Sequence, residues 1–348
     1  MKLIAQIVLS LTVGVLCIVL ALYKIDLEQT KAVLRSIPLS AVFLYALTLV
    51  PLHLFRAWRW KYLLRAIGVS LPFGRLMVIS TVGFMAILAL PFRLGEFARP
   101  YYVVREGQSR MSAVLGTVAV ERIVDGLVIA ILLFVTYLFS LAPGGHAYPP
   151  MLAVSSWLAL LGFLGLTAFL GFSLRWPEAT IQLALTVTCL PRISPKFAHK
   201  LADKLRALIQ GFRALGHARD MLPFLFQTAL YWGINGLGMW LLARLMHLPI
   251  PIHAAFAAMA FTGVLISLPN APGLVGQFHA GIVLALAAYL PESILNSVGG
   301  AYAIALHGIQ FVWYVAFGFL ALLFVGERAG SLRTMMVESK RAAEHGGE

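Results

Sequence analysis

Long apolar runs alternate with short, Arg-rich joins along this chain. A helix needs roughly 20 residues to cross a hydrocarbon core of about 30 Å. Six runs meet or approach that length, near 3–23, 38–55, 113–140, 151–174, 221–247 and 298–326. Two further apolar stretches are broken. One, 76–90, runs into Leu90-Pro91-Phe92-Arg93-Leu94-Gly95-Glu96, and the other, 254–290, contains Leu268-Pro269-Asn270-Ala271-Pro272-Gly273. Proline removes a backbone donor, and irregular backbone at membrane depth survives only against protein or a water-filled cavity.

The basic residues order these segments, because Lys and Arg in short loops stay on the cytoplasmic side. With Lys2 inside and two spans following, the join carrying Arg56, Arg59, Lys61, Arg65 and Arg75 is also inside. If 76–110 returns to the side it left, the loop 175–220, with eight Lys/Arg against three acids, falls inside too. The tail with Arg328, Arg333, Lys340 and Arg341 joins it, while the nearly uncharged 141–150 and 248–253 fall outside. A full span at 76–90 would instead strand Arg93, Arg99, Arg105, Arg110 and the loop 175–220 outside. The expected fold is therefore all-α: a polytopic transmembrane helix bundle forming one integral membrane domain over 1–348. Both termini are expected to be cytoplasmic, with re-entrant broken-helix hairpins at 76–110 and 254–290. The breaks match each other: Leu90-Pro91 leads to Gly95-Glu96-Phe97, and Leu268-Pro269 leads to Gly276-Gln277-Phe278. Three spans separate them, so one hairpin enters from each side, an inverted repeat of the kind many secondary transporters use.

Within 175–220, Phe197, Leu201, Leu205, Leu208, Phe212 and Leu215 recur at helical spacing beside Lys196, Lys200 and Lys204. This predicts a helix lying in the cytoplasmic interface. Arg56-Ala57-Trp58-Arg59-Trp60-Lys61-Tyr62 reads first as an interfacial anchor, its tryptophans suited to the headgroup belt. Arg56 and Arg59 are secondary candidates for headgroup contact.

Composition excludes the soluble classes. Hydrophobic residues make up 60%, charged residues 12%, and mean hydropathy is +0.88; a soluble domain carries about a quarter charged residues. The net charge of +13 lies in loops, as lipid-facing charge does, so nucleic acid is not an expected partner. Cys17 and Cys189 have neither pairing nor metal-ligand spacing.

The candidate chemistry gathers at the breaks and in one span. Arg93, Glu96 and Arg99 follow the first break at spacings of three, and the arginines suit a phosphate or carboxylate. Glu121, Arg122 and Asp125 lie inside the span at 113–140. Ionisable groups near a bilayer centre cost about 2.5–3.5 kcal/mol each on insertion scales, and so usually face the bundle interior with partners. Arg93 or Arg99 are the expected partners, with Glu96 and Asp125 candidates for any proton-linked step. Asn270, Pro272, Gly273 and Gln277 line the second break as uncharged hydrogen-bonding or unwinding positions; His53, His279, His307 and Arg244 read as helix contacts. No GxSxG, HExxH or Walker loop occurs, so no catalytic residue, cofactor or metal is expected.

Three of these motifs in this order, Phe55-Arg56-Ala57-Trp58-Arg59-Trp60, Leu90-Pro91-Phe92-Arg93-Leu94-Gly95-Glu96-Phe97-Ala98-Arg99 and Glu121-Arg122-Ile123-Val124-Asp125, resemble the lysylphosphatidylglycerol synthase transmembrane family of flippase-like proteins. Leu268-Pro269-Asn270-Ala271-Pro272-Gly273 is similar to its second signature. This chain has Leu274, Val275 and Gln277-Phe278-His279 where the family usually has another glycine and an acid. The resemblance implies a flippase-like module in a bacterial inner membrane, with anionic or polyprenyl-linked lipids as partners. The soluble aminoacyl-transfer domain of bifunctional members is expected to be absent, since about 22 residues follow the last span. The leading expectation is a non-enzymatic translocator of an anionic or lipid-linked headgroup. In it, Arg93 and Arg99 bind phosphate while Glu96, Arg122 and Asp125 organise or couple. The alternative is a membrane enzyme or accessory protein in glycolipid or lipid-linked sugar assembly. A homo-oligomer and a lipid-modifying enzyme partner fit either expectation.

Overall fold

The structure, a computed structural model, describes residues 26–90, 95–107, 109–140, 150–187, 218–267 and 271–325, with scattered positions between 12 and 19 and between 198 and 209. The described chain is helical, without a strand among the described residues. Its helices are α1 (Leu27–Ser36), α2 (Leu39–Ala66), α3 (Phe73–Ala89), α4 (Ala98–Arg105), α5 (Met111–Ser140) and α6 (Pro150–Arg175). They continue with α7 (Pro177–Val187), α8 (Ala218–Leu245), α9 (Ile252–Ser267), α10 (Gln277–Leu286) and α11 (Gly300–Val325). Leu39–Ala66, Ala153–Arg175 and Glu292–Phe324 are long and apolar enough to cross a membrane. α5 spans 30 residues but carries Glu121, Arg122 and Asp125 near its middle.

Two helices of 28 residues, α2 and α8, end in the same way. After α2, Gly68 takes φ +79° and Val69 donates its N–H to the Leu64 carbonyl at 3.0 Å. After α8, His247 takes φ +56° and Leu248 donates to the Ala243 carbonyl at 2.8 Å. These are Schellman-type ends that satisfy the last carbonyls. The next helices, α3 and α9, start after Pro72 and Pro251, whose missing N–H costs nothing at a helix start. Arg65 and Arg244, Gly68 and His247, and Pro72 and Pro251 all stand 179 positions apart. The chain thus repeats a long helix, a hairpin and a second long helix.

The two units run in opposite directions. Arg65 of α2 lies 3.6 Å from Asp220 near the start of α8, Gln227 donates to the Tyr62 hydroxyl at 3.3 Å, and Gly238 rests on Thr48. The matching helices α2 and α8 are therefore antiparallel. Each unit then lays its hairpin on the last helix of the other. α3 packs antiparallel to α11, with Met85 against Gly318 and Arg75 donating to the Phe324 carbonyl at 3.4 Å. α9 packs antiparallel to α5, with Gly263 against Ile129 and the His253 ring 5.5 Å from that of Phe139.

Within the first hairpin, Gly95 sits on the Ala86–Ile87 backbone, Gly83 faces Arg99, and Arg75 meets Glu106 at 2.6 Å. The chain has therefore returned to the end of the bundle where α3 began. Within the second, Gly281 sits on Thr262 and the Tyr289 ring lies 5.5 Å from His253. The tips meet, as α3 touches the 3-10 turn Pro272–Leu274.

Two corrections concern the predicted elements. The run at 38–55 continues as helix to Ala66, so Arg56, Arg59 and Trp60 lie inside α2. Arg59 and Trp60 are fully buried, which overturns their reading as an interfacial anchor; Trp58 alone of the two tryptophans is exposed. The amphipathic segment does not face lipid alone: Ala198, Ala202 and Ile209 are buried with Ile181 and Leu185 of α7. Arg206 holds Glu178 through two bonds of 2.9 Å beside them. Phe197, Leu208, Phe212, Leu215, Lys196, Lys200 and Lys204 lie outside the described residues.

Candidate functional site

α5 carries Glu121 and Asp125 one turn apart, both buried. Carboxylates so placed need cations and hydrogen-bond donors within reach. Arg59 of α2 supplies most of this, donating to Glu121 Oε1 at 2.9 Å and to both Asp125 carboxylate oxygens, the Oδ2 bond at 2.7 Å. Arg99 of α4 donates to Glu121 Oε2 at 2.9 Å, and Arg122 to Glu121 Oε1 at 2.9 Å. Trp232 of α8 donates its indole N–H to Asp125 Oδ1 at 2.9 Å. Arg122 also lies 3.5 Å from Glu96, which follows the first break. The cluster thus ties α2, α5, α8 and the return arm of the first hairpin together. Gly83 and Gly95 permit the close hairpin that brings Arg99 in.

Arg56 stands apart. It is ten residues, about 15 Å of helical rise, from the α2 C-terminus. Among the described residues it is in no ion pair. Its guanidinium lies 3.9 Å over Phe84, 5.4 Å from Tyr314 and 6.0 Å from Tyr231, a cation–π setting. Arg56, Arg59, Arg99 and Arg122 against Glu96, Glu121 and Asp125 leave one positive charge in excess.

Two chambers with several lining residues in common lie beside this cluster. A charged chamber of about 330 Å³ is lined by Arg56, Glu96, Arg122, Asp125 and Ser267, with Phe163 and Leu166 from α6. An aromatic chamber of about 130 Å³ lies between the two hairpins, lined by Phe84, Ile87, Leu274, Phe278, Phe311 and Tyr314 among others. Arg56, Tyr231, Trp232, Gly263 and Ile266 border both.

Glu96, Arg99, Glu121, Arg122 and Asp125 therefore come together, with Arg99 the expected partner of Glu121. The expected phosphate role of Arg99 does not fit: it is fully buried, paired to Glu121, 4.6 Å over the Trp60 ring, and borders neither chamber. Arg59 is likewise enclosed, so among the described residues the arginines facing the chambers are Arg56 and Arg122. Arg93 and Asn270 lie outside the described residues. At the second break, Pro272 is exposed, Gly273 takes φ +76° and its carbonyl accepts from His307 Nε2 at 2.8 Å, and Gln277 is buried at the α10 start. None of these three lines a chamber; Leu274 and Phe278 do. Sequence reasoning missed Tyr231, Trp232, Asn235, Gln310 and Tyr314 as lining residues. The repeat would have found two of them: Asn235 stands 179 positions after Arg56, and Trp232 the same distance after His53.

This fold and its paired chambers define a helical integral membrane protein built from two opposed units. The chain belongs to the lysylphosphatidylglycerol synthase TM region family, which matches residues 7–318. No curated protein and no solved structure matches it.

Proposed function

We propose that this protein translocates an anionic phospholipid or lipid-linked headgroup between leaflets of a bacterial inner membrane. The observation that carries the reading is that Arg56, Tyr231 and Trp232 stand between the two chambers and line both. Together the chambers offer a headgroup the cations Arg56 and Arg122, and an apolar chain the rings between the two hairpins. Opposed units with broken elements meeting in the middle suit alternate opening to either side.

The orientation follows from charge. Arg65, Arg75, Arg105, Arg110 and Arg219 gather at one end against Glu106 and Asp220. At the other end, Lys31, Arg35 and Arg244 face Asp26, Glu28 and Glu292. On this reading the basic end is the cytoplasmic one, the side on which both termini are expected, and the hairpins are re-entrant. In a background without Cys17 and Cys189, Ser70→Cys and Arg110→Cys are expected to label from the cytoplasm and Ser293→Cys from outside. Labelling of Arg110→Cys and Ser70→Cys from opposite sides would sink the re-entrant reading.

The function is tested with purified protein in liposomes of a native bacterial lipid extract, following leaflet distribution by lipid class. Arg56→Gln removes the unpaired cation and strands no carboxylate. Losing one charged hydrogen-bond contact of about 1.5–3 kcal/mol predicts roughly ten- to hundred-fold slower movement of the transported class. Wild-type protein that is folded yet redistributes no lipid, with or without a proton gradient, would favour a role in lipid-linked sugar assembly instead.

A further inference from the structure

His53 lies buried one turn before Arg56 on α2, and its hydrogen bonds fix where its proton sits. Trp313 of α11 donates its indole N–H to Nδ1 at 3.4 Å. An indole nitrogen only donates, so Nδ1 is bare. Nε2 lies 2.8 Å from the hydroxyl oxygen of Thr81 on α3, whose own proton goes to the Met77 carbonyl at 2.8 Å. Nε2 therefore carries the hydrogen and donates it to Thr81. The neutral Nε2–H form satisfies both ring nitrogens. A proton on Nδ1 would set two donors against each other at Trp313. It would also place a second cation beside Arg56, the charged group that faces the ring among the described residues.

The same ring packs on the aromatic cradle of Arg56. Its centroid is 5.7 Å from that of Tyr314, the planes at 28°, and 5.4 Å from that of Phe84, edge-on at 78°. Tyr314 and Phe84 are also the rings nearest the Arg56 guanidinium, at 5.4 and 3.9 Å. Arg56 Nε is buried without a hydrogen-bond partner, so rings rather than an ion pair set the place of this cation. His53 ties those rings together. Thr81 anchors it to the first hairpin and Trp313 to α11, helices of opposite units. At the matching positions of the second unit stand Trp232 and Asn235, so the histidine–arginine pair belongs to one unit.

We propose that His53 is the positioning residue of Arg56. As the neutral Nε2–H tautomer, bridged between Thr81 and Trp313, it holds the Phe84 and Tyr314 rings on which the guanidinium rests. Arg56 lines both chambers, and a guanidinium released from that cradle would no longer be presented to both. The consequence for lipid movement rests on the translocation reading; the placement of Arg56 does not.

The test follows side-chain NMR signals of the full-length protein in lipid nanodiscs, isotopically labelled at histidine and arginine nitrogen. The His53 signal, identified by its loss in His53→Leu, should show a protonated Nε2 and a bare Nδ1. The Arg56 N–H protons, identified by their loss in Arg56→Gln, should be shifted upfield by the Phe84 ring. That shift should collapse in His53→Leu and in Trp313→Phe, a milder change that serves where His53→Leu does not fold. In liposomes, His53→Leu should slow the transported lipid class roughly two- to tenfold, the worth of about one hydrogen bond. The same substitution in Arg56→Gln protein should add nothing, because a residue acting through Arg56 has no target there. An Nδ1–H or doubly protonated ring, an Arg56 signal untouched by both variants, or equal slowing in both backgrounds would overturn the proposal. Wild-type protein that moves no lipid would remove the translocation reading only, since the two NMR signals decide the placement without it.

Discussion

Arg59→Ala is expected to leave little or no folded protein in the membrane. The guanidinium is fully buried between Glu121 and Asp125, with its charge shared by both carboxylates. Without it, two acids one turn apart on α5 face each other across an apolar gap, with Arg99 and Arg122 left to balance them. Removing one partner from a buried ion pair costs about 3–5 kcal/mol, against a total stability of about 5–15 kcal/mol for ordinary domains. Arg59→Lys keeps the charge but loses the planar fork that reaches both acids at once, so an intermediate loss is expected. Adding Asp125→Asn to Arg59→Ala should recover part of the loss, because it removes one stranded charge. The measurement is the thermal midpoint and monodisperse yield of detergent-solubilised protein. A midpoint for Arg59→Ala within a few degrees of wild type, as about 1 kcal/mol would give, would mean that the cluster does not hold these helices together.

The second large effect is expected at the first hairpin. A Cβ on Gly95 would stand 2.1 Å from both the Ala86 carbonyl carbon and the Ile87 nitrogen, backbone atoms that cannot step aside. Gly95→Ala must therefore pry α4 from α3 and draw Arg99 away from Glu121, at least the 1–3 kcal/mol typical of overpacking. Gly162→Ala on α6 is the control, since nothing lies within 4 Å of the added methyl. Gly281→Ala, its Cβ 2.6 Å from the Thr262 Cα, should fall between the two. The ranking is read from thermal midpoints of the three variants side by side. Equal stability of Gly95→Ala and Gly162→Ala would show that the hairpin does not need its close approach.

These expectations put weight on residues that the chain's own pattern valued differently. Apolar run length located the long helices and both breaks. The Leu-Pro to Gly match suggested a repeat; in the structure α2 and α8 pack antiparallel, α3 packs on α11 and α9 on α5. Glu121 and Asp125 announced a buried network, because acids in a 30-residue apolar helix require partners. The family was legible in the order of three short motifs, and it matches residues 7–318.

The partner of those acids was not legible. A hydropathy window sums every face of a helix, so a segment with Arg56, Arg59, Lys61 and Arg65 scores as an interface. In the folded chain the same helix turns Arg59 inward to carboxylates more than 60 positions away and leaves Lys61 and Arg65 toward its end. Which arginine is structural and which faces a chamber is likewise a tertiary matter. Arg99 and Arg56 are similar in sequence terms, yet one is closed off by Glu121 and Trp60 while the other lies open among aromatic rings. What the sequence determined by itself was which segments are helical and how much charge they must hide, because run length and charge count are properties of the chain alone. Where each charge is spent depends on contacts between helices far apart in sequence, where a low-dielectric interior lets the nearest carboxylate decide.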